Sequence, residues 1–321
     1  MRTVRLALNA MATRFELVIH GGDAVLLRAA GEEALSEIKR LDERLSFYNP
    51  TSEISHINDN ASKYPVQITP ELYSLLKMAS DLYDKTEGAF DVTVGPLMRC
   101  WGFVRGSGAW PKESAREEAL EKTGMDQVLL DEEECTVAFK QDGMAIDLGA
   151  IGKGYAIQEA VDLLRECGIM SALLHGGTST MAAIGTPSPG DEGWTIGVVD
   201  PLDESSMLTS TTISDEAFSV SAPHGKAFKK GDQVWGHVID PRVGYPVQGA
   251  AVAAVIHSSA TVCDAVSTAL LAMNRTEIDQ MAQKFQDIRI LCAYTDGNEL
   301  NFVSNGFNSV NSTILNDEKN G

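Results

Sequence analysis

Between residues 23 and 45 the apolar side chains Leu26, Leu27, Ala30, Leu35, Ile38 and Leu41 recur at roughly helical spacing, which predicts one long amphipathic helix. The first twenty residues read instead as two short strands around a turn at residues 9–12, with Phe15-Glu16-Leu17-Val18-Ile19 in the second. A helix over 70–85 opens with Pro70 in its first turn. A charged, surface-type helix fits 112–123, and further helices fit 152–167, 261–273 and 276–285. Residues 46–53 are small and polar and read as a loop. Residues 86–103 carry Gly88, Gly95 and Pro96 without a period, and read as a long structured loop. From Val128 onward, short apolar runs broken by Gly, Asp and Pro predict strands at 128–130, 136–140, 172–174, 195–199, 208–213, 218–220, 235–239 and 252–256. Strands and helices are plentiful but do not alternate. The expected class is therefore α+β, with mixed or antiparallel sheets and packed helices. No repeat or flexible linker calls for a second domain, so residues 1–304 read as one domain and 305–321 as a polar tail.

Composition narrows the field. A chain of 321 residues with 44% hydrophobic and 22% charged residues has enough apolar surface for a sizeable core. Its net charge of -19, with no basic run, argues against nucleic acid as a partner. No apolar run approaches the roughly 20 residues needed to span a bilayer. Membrane association is expected only through a partner or an anchor not in this sequence. Cys100, Cys135, Cys167, Cys263 and Cys292 are scattered, and none forms a C-x-x-C pair. Reduced thiols in a cytoplasmic protein explain that pattern. A chain trimmed of an export signal and tethered outside the cytoplasm would read the same.

Four segments carry candidate chemistry. In Ala145-Ile146-Asp147-Leu148-Gly149-Ala150-Ile151-Gly152-Lys153-Gly154-Tyr155 a short apolar strand ends in an acid and enters a helix through three glycines. Such a turn either admits a phosphate to backbone N–H groups or is simply tight. It is not a P-loop, because Asp147 replaces the first glycine and Gly154 the final hydroxyl. In Thr261-Val262-Cys263-Asp264-Ala265-Val266-Ser267-Thr268, Asp264 and Thr268 share one face of an apolar helix. That pairing is either hard-ligand chemistry suited to Mg²⁺, or a local cap and a hydroxyl bonded to its own helix. In His237-Val238-Ile239-Asp240-Pro241 a strand delivers a histidine to a turn, as a proton acceptor or as a structural group. Finally, Thr86-Glu87-Gly88-Ala89-Phe90-Asp91-Val92-Thr93-Val94-Gly95-Pro96 either clasps a planar ring or folds on itself. Met11, Tyr48 and the His175-Gly176-Gly177 turn are as ambiguous alone.

In this order the segments resemble the ApbE family of flavin transferases. The resemblance runs from Met11-Ala12-Thr13 through Ser46-Phe47-Tyr48, Ser52-Glu53-Ile54-Ser55 with Asn58, the Gly88–Pro96 stretch, the Asp147–Tyr155 stretch and Gly176-Gly177. It continues through His237-x-x-Asp240-Pro241-x-x-Gly244-x-Pro246 to Asp264-Ala265-x-x-Thr268-Ala269. The family usually has Met-Gly-Thr where this chain has Met11-Ala12-Thr13. The resemblance implies a T-fold-like α+β architecture with FAD bound as substrate and Mg²⁺ at its diphosphate. It also implies transfer of the FMN half to a Thr hydroxyl of an acceptor protein as a phosphoester, with release of AMP. By the same resemblance Met11, Tyr48, Ala89, Phe90, Asp91, Asp147, Lys153 and Ile239 contact FAD. Asp264, Ser267, Thr268 and the Ala150 carbonyl hold the metal. His237, or Asp264 in its place, takes the acceptor's proton. An FAD pyrophosphatase and a non-catalytic FAD-binding protein remain the alternatives. No stretch of the chain matches the Thr motif of the family's acceptors.

Overall fold

The computed structural model describes residues 1–104, 106–223, 225–296 and 299–307. The hairpin β1 (Arg2–Ala10) and β2 (Thr13–Gly21) leads into α1 (Ala24–Leu45), whose first turn is capped by the Asp23 carboxylate. Then come α2 (Glu53–Asn60), β3 (Val66–Gln67), α3 (Pro70–Lys85), α4 (Gly95–Cys100), α5 (Glu113–Glu121), β4 (Val128–Asp131) and β5 (Thr136–Phe139). The second half holds α6 (Gly152–Glu166), β6 (Ala172–Gly176), β7 (Thr180–Ile184), β8 (Trp194–Val199), β9 (Met207–Ile213) and β10 (Ala217–Ser221). After them lie β11 (Ala227–Lys230), β12 (Gln233–Gly236), β13 (Ile239–Asp240), β14 (Tyr245–Pro246), β15 (Ala250–His257), α7 (Ala260–Leu270), α8 (Arg275–Ala282), β16 (Arg289–Asp296) and β17 (Glu299–Asn305).

One eight-stranded sheet organises the chain, in the order β1-β2-β6-β7-β10-β15-β16-β17. Every neighbouring pair in it is antiparallel. Helices α1, α6 and α7 cover one face, and the β8–β9 hairpin covers the other. The alternation along β15 shows the two sides: Ala253 and Val255 join the helix-side core, while Val252, Ala254 and Ile256 join Trp194, Ile196 and Leu208 under the hairpin. A strand covered on both faces reads as a continuous apolar run, as 250–256 does. Phe15, Leu17 and Ile19 of β2 are fully buried on the helix side, each contributing roughly 1.5–3 kcal/mol.

The α+β expectation matches this architecture, but several elements differ from their expected limits. The stretch 86–103 contains α4, which at six residues is too short to show a period. Helix α2 begins at Glu53, at the end of the expected loop, and buries only Ile54 and Ile57. The expected strand 235–239 breaks after Gly236, where an added Cβ would lie 2.0 Å from the Pro223 carbonyl oxygen. Strands β3, β7, β11, β14, β16 and β17 lie outside the expected set. Asn305 closes β17 rather than opening the tail, and residues 308–321 of that tail lie outside the described residues. No described helix is long and apolar enough to cross a membrane.

Candidate functional site

A cleft opens where the N-terminal end of α6, the middle of α7 and the end of β10 converge. It has two compartments, of about 490 and 290 Å³, joined along Ala12, Tyr48, Asp147, Gly149 and Lys153. Both lie in the size range of small-molecule sites, and the two-lobed shape suits an elongated ligand.

The glycine turn before α6 is held open from two sides. Asn58 donates to the Ile146 carbonyl at 2.9 Å and accepts from the Ile146 amide at 2.7 Å, so its side chain pairs with that segment as a strand would. The Asp147 amide donates to Val92, which ties the turn to the 89–94 segment. Asp147 Oδ1 accepts from the Gly149 amide at 2.9 Å. Burial pushes the Asp147 carboxyl above the usual carboxylate range, against the opposing pull of that amide, Arg99 and Lys226.

Helices α6 and α7 meet backbone to backbone at Gly154, where a Cβ would lie 2.3 Å from the Ala260 carbonyl oxygen and 2.6 Å from Asp264 Cβ. No side chain of its own segment caps α6. Instead Asp264 Oδ2 accepts from the Gly154 amide at 2.9 Å, while Oδ1 accepts from Thr180 Oγ1 at 3.0 Å with Lys153 Nζ 4.0 Å away. Thr268 Oγ1 donates to the Asp264 carbonyl at 3.2 Å. The cap and the local hydroxyl bond therefore both exist, and Asp264 and Thr268 still line the larger compartment. Ser267 lies fully buried behind them, bonded to Ser221 Oγ at 2.8 Å. Asp264, Thr268, Ser267 and the Ala150 carbonyl are all hard oxygen donors, the set suited to Mg²⁺. Among the described residues no group of three or more His, Cys, Asp and Glu side chains is placed to share a metal ion.

The opposite wall is aromatic. Ala89, Phe90 and Asp91 line the larger compartment, and Asp91 also folds back on its own loop, accepting from the Thr93 amide at 2.7 Å and hydroxyl at 2.6 Å. Burial outweighs these bonds and raises its pKa to about 6. Tyr48 faces both compartments, and burial with the nearby Asp147 raises its phenol pKa. Met11 lines the smaller compartment from the β1–β2 turn, where Met11 and Ala12 both have positive φ (48° and 57°). A two-residue turn of that kind favours glycine over the alanine present at position 12. Ile239 and His237 complete the larger compartment. Burial, then Lys226 and Lys153, lower the His237 pKa, and its Nδ1 is buried with no partner among the described residues.

All the expected site residues thus converge on the cleft, with Ser267 one layer behind. The expectation missed Lys226, which lines the larger compartment, donates to the Phe103 carbonyl at 3.1 Å and sits 5.6 Å from the Tyr48 ring centroid. It also missed Thr180 and Ser219 beneath Asp264. A lysine between Gly225 and Ala227 and isolated hydroxyls in strands carry no local signal. His175 bonds to the Gly177 carbonyl and faces Glu16, away from the cleft lining.

Comparison with known proteins gives a consistent picture. The ApbE family model matches residues 11–292. An FAD:protein FMN transferase of Klebsiella pneumoniae is 29% identical over 239 residues, covering 73% of each chain. Its namesake from Vibrio cholerae is 27% identical over 280 residues, covering 84% of this chain and 81% of its own. The crystal structure of the ApbE protein from Thermotoga maritima superposes with a TM-score of 0.83 at 29% identity, covering 91% of this chain and 94% of that one. The apo flavinyl transferase ApbE from Pseudomonas stutzeri, at 22% identity, shares the fold with a TM-score of 0.81 over 94% of each chain.

Proposed function

The chain belongs to the ApbE family, and from that membership and its cleft we infer that it is an FAD:protein FMN transferase. It moves the FMN half of FAD onto an acceptor protein and releases AMP. The finer part of the proposal is a Mg²⁺-assisted transfer to a threonine hydroxyl. The observation that carries it is the convergence of Asp264, Thr268, Lys153 and His237 on one compartment that also holds Phe90, Asp91 and Tyr48.

In this reading the acceptor oxygen attacks the FMN-side phosphorus. The new O–P bond forms as the bond to the bridging oxygen breaks, and that oxygen leaves with AMP. Positioning and charge neutralisation carry most of such a reaction. Asp264, Thr268 and the Ala150 carbonyl, which line the larger compartment, would hold Mg²⁺, which when bound supplies charge neutralisation at the diphosphate. Ser267, expected as a further ligand, is instead buried behind them and bonded to Ser221. Lys153 and Lys226 supply fixed positive charge at the same compartment, against a net charge of -19 for the whole chain. The aromatic faces of Tyr48 and Phe90 suit the planar rings of the dinucleotide. The lowered pKa of His237 leaves its imidazole neutral at pH 7, ready to take the acceptor's hydroxyl proton.

The test is mass spectrometry of an acceptor domain bearing the threonine motif, incubated with the full chain, FAD and Mg²⁺, with AMP followed in parallel. An FMN adduct on the threonine with matching AMP is the expected result, and Asp264→Ala abolishes it. AMP and FMN without an adduct would replace the transferase with a pyrophosphatase. Neither product would leave an FAD-binding protein.

A further inference from the structure

Beneath the Asp264 carboxylate the sheet presents two hydroxyls side by side. Thr180 on β7 and Ser219 on β10 are directly opposed across that strand pair, and both are fully buried. Their oxygens lie 3.0 Å apart. Thr180 Oγ1 donates to Asp264 Oδ1 at 3.0 Å, and Ser219 Oγ reaches the same oxygen at 3.4 Å. The next opposed pair on that face is Ala182 and Ala217, packed into the apolar core. A buried hydroxyl without an acceptor costs about 1–3 kcal/mol, so the Thr180 hydroxyl is stabilised by the carboxylate it holds.

Counting protons fixes the arrangement. Ser219 has the Ser179 carbonyl at 3.1 Å as an alternative acceptor, which leaves Thr180 as the firm donor to Oδ1. Oδ2 is held from another direction by the Gly154 amide. With one oxygen gripped by the sheet and the other by the end of α6, the carboxylate plane cannot turn. The hydroxyl series continues from Ser219 to Ser267 (3.3 Å), Ser221 (2.8 Å) and Thr268 (3.3 Å).

We propose that Thr180 and Ser219 are positioning residues: this opposed hydroxyl pair fixes the Asp264 carboxylate so that its remaining lone pairs face the cleft as a ligand for Mg²⁺. The proposal rests on the reading of the site as a Mg²⁺-assisted FMN transferase. Neither residue touches FAD in this role, and both act through Asp264. Outer hydroxyls that orient a ligating carboxylate typically govern metal affinity by about 10- to 100-fold.

The experiment titrates the full chain with Mn²⁺, which takes the same oxygen donors, and reads free Mn²⁺ by electron paramagnetic resonance. Thr180→Val keeps the side-chain shape without the hydroxyl. It is expected to weaken Mn²⁺ binding by about 10-fold or more, and to raise the Mg²⁺ needed for half-maximal AMP release in parallel. The KM for FAD stays near its wild-type value, and Thr180→Ser restores the metal affinity. Ser219→Ala gives a smaller loss in the same direction. Wild-type Mn²⁺ affinity in Thr180→Val overturns the proposal even if its melting temperature falls, because the hydroxyl would then serve the fold alone. Should Thr180→Val not fold, unchanged affinity in Ser219→Ala overturns it instead. A wild-type chain that binds Mn²⁺, loses it in Asp264→Ala and yet transfers no FMN would end the transferase reading while the Thr180 comparison still stands. A wild-type chain that binds no Mn²⁺ overturns the positioning proposal itself.

Discussion

On the α6–α7 side of the cleft backbone meets backbone, and the site carboxylate has a donor at each oxygen. On the Tyr48 side, rings lean on one another and a polar atom is left over. Tyr48 is 58% exposed, with Phe47 edge-on to its ring and Lys226 Nζ 5.6 Å from its centroid. His237 Nδ1 is buried there with no partner among the described residues, whereas no such orphan occurs among the described residues of α6 and α7. Under the proposed function the difference separates two tasks, one for a wall that would hold phosphate and metal and the other for a wall that would receive rings and a protein acceptor. A phosphate and metal wall must hold its oxygens in place before substrate arrives, since electrostatic catalysis depends on groups that need not reorganise. A wall that receives rings and a protein acceptor works through apolar faces and a proton-accepting group, which tolerate adjustment.

Mutations can break that contrast. After the loss of transfer expected from Asp264→Ala, His237→Asn is expected to have the largest effect, slowing transfer by about 10²–10⁴-fold with FAD affinity nearly unchanged. Equilibrium binding of FAD measured beside the transfer rate checks this, and a large loss of affinity would make His237 a binding residue. The wild-type rate should fall as pH drops below the histidine's lowered pKa, because a protonated imidazole accepts nothing. On the rigid wall, Gly154→Ala forces α6 away from α7. A displacement near 1 Å there is expected to cost about 10²-fold in turnover, together with about 1–3 kcal/mol of stability. Calorimetry and AMP release read the two effects, and a variant normal in both would show that the close backbone contact is not what sets this wall.

Asp91 sharpens the comparison through pH. Its pKa rises from 3.8 to about 6 in the fold, so the folded state binds the extra proton. The stability this contributes is complete below pH 3.8 and lost as pH rises through about 6. Asp91→Asn should therefore gain stability relative to the wild type between pH 4.5 and 7.5, by roughly 2 kcal/mol. Paired denaturant titrations at the two pH values measure it, and a constant difference would refute the burial effect. The smallest effect is expected at the hairpin turn beside the cleft: Ala12→Gly removes a side chain from positive φ and should stabilise by about 0.5–1 kcal/mol, visible in the melting temperature.

Much of this was legible in the chain itself, for local reasons. The helical period of Leu35, Ile38 and Leu41 marked α1, because an amphipathic helix writes its burial into neighbouring residues. The turn from Asp147 to Gly154 was legible because glycine spacing reflects backbone demands within one segment. Strand β16 was not, since its buried apolar run, Ile290-Leu291-Cys292-Ala293, is shorter than that of β15 and a run of that length has no period to tell strand from helix. Helix α4 was too short to show a period.

What the sequence alone determined was the class, the main helices and the residues of the Asp147 and Asp264 segments, each set by spacing along a few turns of chain. Which groups stand around Asp264 was decided only by the tertiary structure. Thr180 and Ser219 lie 39 residues apart and become a pair through the register of β7 against β10, while the Gly154 amide arrives from a helix 110 residues away from the carboxylate. Register and helix packing are settled by the whole core at once, because a strand shifted by one residue would turn Thr180 to the hairpin side and leave the carboxylate without its donor.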